Sequence, residues 1–343
     1  MTVPKTMQTG IYYQHDDIRM EERPVPAIGP AEVLAEVNAC GICGSDIMRW
    51  YRNPVALERG GINTGHEIAG RIVKLGAEVT GFFVGDRIVI THHFPCLECT
   101  ACQDGNETAC EAMHQKHIEP GGFAQYVRIL ESGLKKGLYR LPEMMSYEEG
   151  SFVEPLACVV RSLRKAGPMQ DRSVLVIGSG LAGLLHIRLA RVLGAAWIHA
   201  VDTNEDRLVA AGQSGADEVH LANSKLPSAD RVFICTGSGV AAKQALQCVS
   251  RGGKILFFAA DGPDKKLEIP LTQYWLEQPT ILFSYGAAPG DMTESLDLIA
   301  TGRVCVKDLI THRFHLSGFS EALYLAANPR GTSLKIIVNP QAG

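Results

Sequence analysis

The hexapeptide Gly178-Ser179-Gly180-Leu181-Ala182-Gly183 follows a continuous apolar run, 174–178, and opens a stretch of helical periodicity, 181–193. A chain with 35 glycines can produce G-x-G-x-x-G by chance, but between a buried strand and a helix the pattern fixes a β-turn-α unit. Gly178 permits the tight turn, Gly180 lets the backbone approach a pyrophosphate at the helix N-terminus, with Leu181 and Ala182 in the same turn, and Gly183 lets helix and strand close on each other. The next apolar run, 197–201, ends at Asp202. A carboxylate there accepts hydrogen bonds from ribose hydroxyls and repels a 2′-phosphate, so the predicted ligand is NAD rather than NADP.

The alternation continues with a helix near 205–214, strands at 218–221 and 231–235, a helix near 240–250 and strands at 254–259 and 280–284. Six strands with intervening helices predict an α/β fold with a doubly wound parallel sheet. Only nine residues, 222–230 with Pro227 among them, join the third strand to the fourth. A helical crossover needs roughly a dozen residues, so no helix is expected there. Residues 30–95 are different in texture: short apolar runs at 32–37, 67–75 and 87–90, punctuated by Gly, Asp and Pro, read as a β-rich half. A chain of 343 residues also exceeds the ~250–300 residues that one core supports, which favours two domains. The tail, with a helix near 292–301 and a strand at 334–338, is too long for a linker and is expected to return to the first domain.

With 46% apolar and 20% charged residues the chain has material for a sizeable core, which excludes a disordered chain. Net charge is −4 and no Lys/Arg run is present, which argues against a nucleic-acid or anionic-membrane partner and leaves small molecules. The start, Met1-Thr2-Val3-Pro4-Lys5, has no apolar run behind its charge, and no 18-residue apolar stretch follows, so a cytoplasmic location is expected.

Of ten cysteines, Cys96, Cys99, Cys102 and Cys110 are spaced C-x2-C-x2-C-x7-C. Four thiolates at this spacing supply a closed tetrahedral shell, the chemistry of a structural zinc holding the lobe 94–112. The x7 gap and the absence of a following proline separate the pattern from the ferredoxin cluster run. Cys43, His66 and Glu154 are dispersed, and their spacing alone does not group them. One thiolate, one imidazole and one carboxylate would nonetheless leave a fourth metal position open for water or substrate.

Taken together and in order, Gly41-Ile42-Cys43-Gly44-Ser45-Asp46, Gly65-His66-Glu67, the four-cysteine lobe, Glu154-Pro155-Leu156 and the glycine turn resemble the zinc-dependent medium-chain dehydrogenases across nearly the whole chain. The polyol branch, with sorbitol, threonine and galactitol-phosphate dehydrogenases, is the most similar, because Glu154-Pro155 stands where classical alcohol dehydrogenases place a cysteine ligand. The resemblance implies a GroES-like β-rich catalytic domain (1–154 and 291–343) interrupted by a Rossmann domain (155–290), with catalysis in the cleft between them. It implies NAD and two zinc ions per chain. Cys43, His66 and Glu154 would be ligands of the catalytic zinc, Glu67 a carboxylate that holds metal-bound water or exchanges as a ligand, and Ser45 the hydroxyl that bonds the reacting oxygen. The chemistry expected is hydride transfer between NAD and a secondary alcohol of a polyol or related polar compound, since zinc can bring a bound oxygen's pKa from about 16 toward ~7.

Departures from the pattern bear on substrate. Met48 stands where threonine dehydrogenases and many alcohol dehydrogenases have a histidine, Arg49 where sorbitol dehydrogenases have a tyrosine, and Ser284 where they have an arginine before the tyrosine matching Tyr285. Galactitol-phosphate dehydrogenases share arginine at the Arg49 position. Arg49, His93 with its neighbour His92, and Tyr285 are the candidate substrate contacts. The alternatives are a hydroxy amino acid substrate, weakened by Met48, and a non-catalytic NAD-binding sensor, against which Cys43, Ser45, His66 and Glu154 together argue. By resemblance, a homo-oligomer (dimer or tetramer) forms through the last Rossmann strand.

Overall fold

The computed structural model describes residues 3–15, 17–260 and 262–341. The chain divides into two compact units, Met1–Ala157 with Ala287–Gly343, and Cys158–Gly286. The divisions fall three to four residues from the expected 154/155 and 290/291. One helix, Val153–Ala166, runs without a break through the first division. At the second, Ser295 Oγ in the helix Pro289–Ala300 donates to the Val153 carbonyl at 2.8 Å, and Tyr139 Oη lies 3.5 Å from the Pro289 carbonyl, so this helix groups with the first segment.

The first unit holds strands β1 (Thr6–Gln14), β2 (Asp17–Pro24), β3 (Val33–Gly41), β4 (Glu67–Leu75), β5 (Arg87–Ile90), β6 (Ile118–Glu119), β7 (Tyr126–Ile129) and β8 (Leu138–Arg140). The second holds β9 (Ser173–Ile177), β10 (Trp197–Asp202), β11 (Glu218–Leu221), β12 (Ala229–Ile234), β13 (Val249–Phe257) and β14 (Thr280–Phe283). The tail returns β15 (Ile310–His315) and β16 (Lys335–Asn339) to the first unit.

β3 is central to the first unit and longer than its sequence signal, 32–37, because Ala39, Cys40 and Gly41 pair onward with β4. It runs antiparallel to β4, β7 and β16, in a sheet ordered β15-β16-β3-β4-β5-β8. Val33, Val37, Ile68, Ile88, Phe123 and Phe319 are fully buried in its core. The pairing of β16 with β3, Ile337 opposite Gly41 and Val338 opposite Cys40, brings Lys335 to the end of β4. Between β5 and β6 the chain leaves the sheet for three short helical turns, Thr100–Gln103, Glu107–Ala109 and Glu111–His114, which carry the last three clustered cysteines or flank them.

The second unit is a six-stranded parallel sheet ordered β11-β10-β9-β12-β13-β14, the doubly wound arrangement expected from the alternation. Residues 222–230 contain no helix: a turn follows β11 and the chain reaches β12 extended, as the nine-residue gap requires. β13 starts five residues earlier than the predicted 254. Val249 bridges Ala229, then the register shifts over Gly252, at φ +66°, before Lys254 pairs with Arg231. The helix Leu271–Glu277 had no signal, because Leu271, Trp275 and Leu276 are exposed and give no core-facing period. No helix among the described residues is long and apolar enough to cross a membrane.

Candidate active site

Cys43 closes the loop after β3 and precedes a 3-10 turn, Gly44–Asp46, while His66 and Glu67 sit at the start of β4. Gly65 makes this approach possible: it has φ +91°, and a Cβ there would lie 2.9 Å from Cys40 Sγ. The ligand atoms of Cys43, His66 and Glu67 lie within 4.8 Å of one another. A thiol, an imidazole and a carboxylate converging this closely fit a zinc ion at 2.0–2.3 Å from each (order of ~2 Å). Glu154 lies half-buried in the first turn of Val153–Ala166.

The surroundings of this cluster contain three residues that motif spacing did not single out. Asp46, fully buried, accepts from the backbone N–H of Cys43 at 3.0 Å and of Gly65 at 3.3 Å, and its Oδ1 lies 3.6 Å from His66 Nδ1. Burial opposes ionisation of this carboxyl, but His66, Arg52 and the Cys43 N–H outweigh it and hold the group down at about 2. Arg52, one helical turn into Arg49–Arg59, donates to the Ser45 carbonyl at 2.8 Å and to Ser45 Oγ at 3.3 Å. Lys335, fully buried, donates to Glu67 Oε2 and lies 3.4 Å from the Ile42 carbonyl. Asp46 was inside a quoted motif without a role, whereas Lys335 carried no signal: 268 residues separate it from Glu67.

Beside His66 runs a row of imidazoles. Ring centroids are 4.6 Å apart for His66 and His92, 3.6 Å for His92 and His93, and 4.9 Å for His93 and His114. Burial, and then the imidazoles of His114 and His66, push His93 down to about 3, so the ring is neutral. His92 Nδ1 is buried without a hydrogen-bond partner. Arg49 is exposed at the start of its helix, and Tyr285, in the second unit, is 52% exposed.

The cysteine lobe is assembled as expected. Cys96 and Cys102 Sγ are 3.9 Å apart, Cys99 and Cys102 3.5 Å, Cys110 and Cys96 3.5 Å. A tetrahedron with Zn–S bonds of ~2.3 Å has edges of about 3.8 Å, so the four sulfurs already stand at its corners. Backbone N–H groups of Glu98 and Cys99 donate to Cys96 Sγ at 3.4 and 3.3 Å and hold this thiol down at about 6, the thiolate form that a metal takes.

In the second unit, Gly178 has φ +97°, and a Cβ on Gly183 would lie 1.9 Å from the Gly178 carbonyl oxygen. A Cβ on Gly180 would meet no protein atom within 4 Å. That open face at the N-terminus of the helix Leu181–Val192, where Leu181 and Ala182 are half-buried, is the space a pyrophosphate fits. Asp202 Oδ2 accepts from Ser179 N–H at 2.7 Å and Oδ1 from Asn204 N–H at 2.9 Å. The carboxylate thereby ties the glycine turn to the end of β10 and keeps acceptor capacity for further donors.

Residues 29–142 match the family described as alcohol dehydrogenase GroES-like domain, and residues 182–301 that described as zinc-binding dehydrogenase. The sorbitol dehydrogenase of Bacillus subtilis is 29% identical over 99% of each chain. A protein of Aspergillus clavatus named "Probable D-xylulose reductase A" is 31% identical over 86% of each chain. The solved structure of 2R,3R-butanediol dehydrogenase from Bacillus subtilis superposes with a TM-score of 0.84 at 26% identity, covering 98% of this chain and 100% of that one. The chain is an oxidoreductase and belongs to the zinc-dependent medium-chain dehydrogenases. Within that superfamily it stands in the polyol dehydrogenase-like branch.

Proposed function

We propose that this chain oxidises a secondary alcohol of a polyol, sugar alcohol or related polar compound to the ketone, with NAD as hydride acceptor. The observation that carries the reading is the convergence of half-buried Cys43 with buried His66 and Glu67, with Ser45 in the turn that follows Cys43. Relatives named sorbitol dehydrogenase and D-xylulose reductase supply the substrate class. Zinc bound at the cluster supplies Lewis acidity toward the reacting oxygen, and NAD at the glycine turn supplies the hydride acceptor.

The protein's own groups divide the remaining work. Cys43, His66 and Glu154 would hold the catalytic ion, and Glu67, paired with Lys335, would hold metal-bound water or exchange as a ligand. Asp46 faces His66 Nδ1, which leaves Nε2 for the metal and fixes the ring's orientation. Arg52 donates to Ser45 Oγ and holds the hydroxyl in place, and Ser45 would take the substrate alcohol's proton on Oγ as it passes its own proton to solvent. Gly178, Gly180 and Gly183 with Leu181 and Ala182 seat the cofactor's pyrophosphate, and Asp202 takes the ribose hydroxyls. Arg49, His93 and Tyr285 contact the polar substrate. Cys96, Cys99, Cys102 and Cys110 hold the second zinc.

A homo-oligomer, dimer or tetramer, acting in the cytoplasm completes the proposal. β14 is an outer strand of its sheet, and exposed Phe283 on it lies in a segment rich in exposed apolar residues, among them Trp275.

The test is NADH formation across polyols, phosphorylated polyols, cyclitols and hydroxy amino acids. Polyols should turn over, and Glu154→Ala should lower kcat by about a hundredfold or more while Tm changes little. Turnover of hydroxy amino acids alone would replace the substrate reading, and unchanged turnover in Glu154→Ala would remove that residue from the metal shell.

A further inference from the structure

A second group of metal-ligand side chains stands on the outer edge of the six-stranded sheet, in the unit that carries the glycine turn. His199 on β10 is paired in register with Glu218 on β11, and His220 lies two residues beyond Glu218, so the sheet's pleat puts all three on one face. His199 Nδ1 is 3.2 Å from His220 Nε2, Glu218 Oε2 is 3.4 Å from His199 Nδ1, and the same oxygen is 3.6 Å from His220 Nε2.

These distances do not describe a closed hydrogen-bond network. The two contacts to the carboxylate oxygen exceed the ordinary N–H···O range, and only the imidazole pair is within reach of one shared proton. Three ligand-type atoms therefore lie within 3.6 Å of one another with one short contact among them. A tetrahedral ion with bonds of ~2.1 Å has ligand–ligand edges of about 3.4 Å, and the three observed edges bracket that value.

The scaffold is stiff. Asp217, next to Glu218, accepts from Ile198 N–H at 2.7 Å, and its own N–H donates to the Ile198 carbonyl at 2.8 Å. This double link staples the start of β11 to β10 one residue from the cluster. His199 and His220 are mostly buried, whereas Glu218 is half-exposed, which gives an ion an entry path and leaves a fourth position for water.

We propose that His199, Glu218 and His220 form a third divalent-metal site of the zinc class, separate from the four-cysteine lobe and from the cluster at Cys43, that clips edge strand β11 to β10. Two imidazoles and one carboxylate select Zn2+, Ni2+ or Co2+ over Mg2+ and Ca2+, which need an oxygen shell. The inference does not depend on the substrate.

The test uses the enzyme with its resident metals in place, dialysed against graded Zn2+. Wild type should take up one ion per chain more than the double variant His199→Gln/His220→Gln, and Glu218→Gln should weaken that uptake at least tenfold. Added Zn2+ should raise Tm in wild type alone. Ni2+ titration supplies a second readout: the Trp197 ring is 6.4 Å from His199, so its fluorescence should be quenched in wild type and not in the double variant. The Glu218→Gln side chain is half-exposed and reads the same loss should the double variant fail to fold. Equal uptake and equal quenching in wild type and variants would overturn the proposal.

Discussion

His186 is fully buried in the second unit, with Nε2 2.8 Å from Ser162 Oγ and Nδ1 2.7 Å from the Ala182 carbonyl. Burial pushes its pKa down to about 4, against the opposite pull of the Ala182 carbonyl. An unfolded chain has its histidines near 6.5, so between pH 6.5 and about 4 the unfolded state binds a proton that the folded state refuses, and stability falls as pH falls through this window. The contribution at stake is about 3 kcal/mol, fully present above pH ~6.5 and lost by about pH 4. Urea unfolding of wild type and His186→Gln across that window should show a shallower pH slope in the variant, and equal slopes would assign the loss to other groups. The four clustered cysteines were legible from their spacing, whereas Cys43 and His66 were grouped only through the resemblance that their flanking motifs carry. Arg52 and Lys335 were not, because a side chain whose work is to hold another is recognised only by the partner, and Lys335 meets Glu67 across 268 residues.

Two elements rest on single positions. Gly183 lets the helix Leu181–Val192 close on the turn after β9, where any Cβ would lie 1.9 Å from the Gly178 carbonyl oxygen. Gly183→Ala should cost about 1–3 kcal/mol of stability and weaken NAD binding together, as read by urea unfolding and by cofactor titration. Cys110 closes the sulfur cluster of the lobe, in which Phe94 is the one large apolar side chain that is buried. Cys110→Ser should lower the zinc content by one per chain and open residues 94–112 to proteolysis, while retention of the full zinc content would contradict the assignment. The sequence boundaries of β4, β5 and β11 match the observed ones because these runs end at sharp polar or glycine punctuation. The helix Leu271–Glu277 escaped notice for the opposite reason, since its apolar residues face outward.

At the scale of the whole molecule, that outward face has a consequence for assembly. Leu271 and Trp275 are each 77% exposed and Phe283, on the outer strand β14, 67%. Exposed apolar side chains of this size mark a candidate interface, and the proposed occupant is a second copy of the chain. Trp275→Glu with Phe283→Glu should lower the mass measured by sedimentation equilibrium to that of one chain, and an unchanged mass would place the interface elsewhere. The six strands of the second unit and the β-rich character of the first half were readable from periodicity, whereas the order of the strands in the sheet comes from the structure. A continuous helix, Val153–Ala166, spans the first division between the two compact units, so no break in periodicity marks it in the sequence.

The pairing of β16 with β3 also sets a timetable for biosynthesis. On the ribosome Glu67 is made 268 residues before Lys335, and the whole segment 158–286 is synthesised in between. The first unit emerges first yet lacks an interior strand of its sheet and the cation for a buried carboxylate until translation has passed residue 339. The inserted unit has all its strands at hand as soon as it emerges. The nascent chain thus completes its cofactor half before its metal half, reversing the N-to-C order in which domains generally fold.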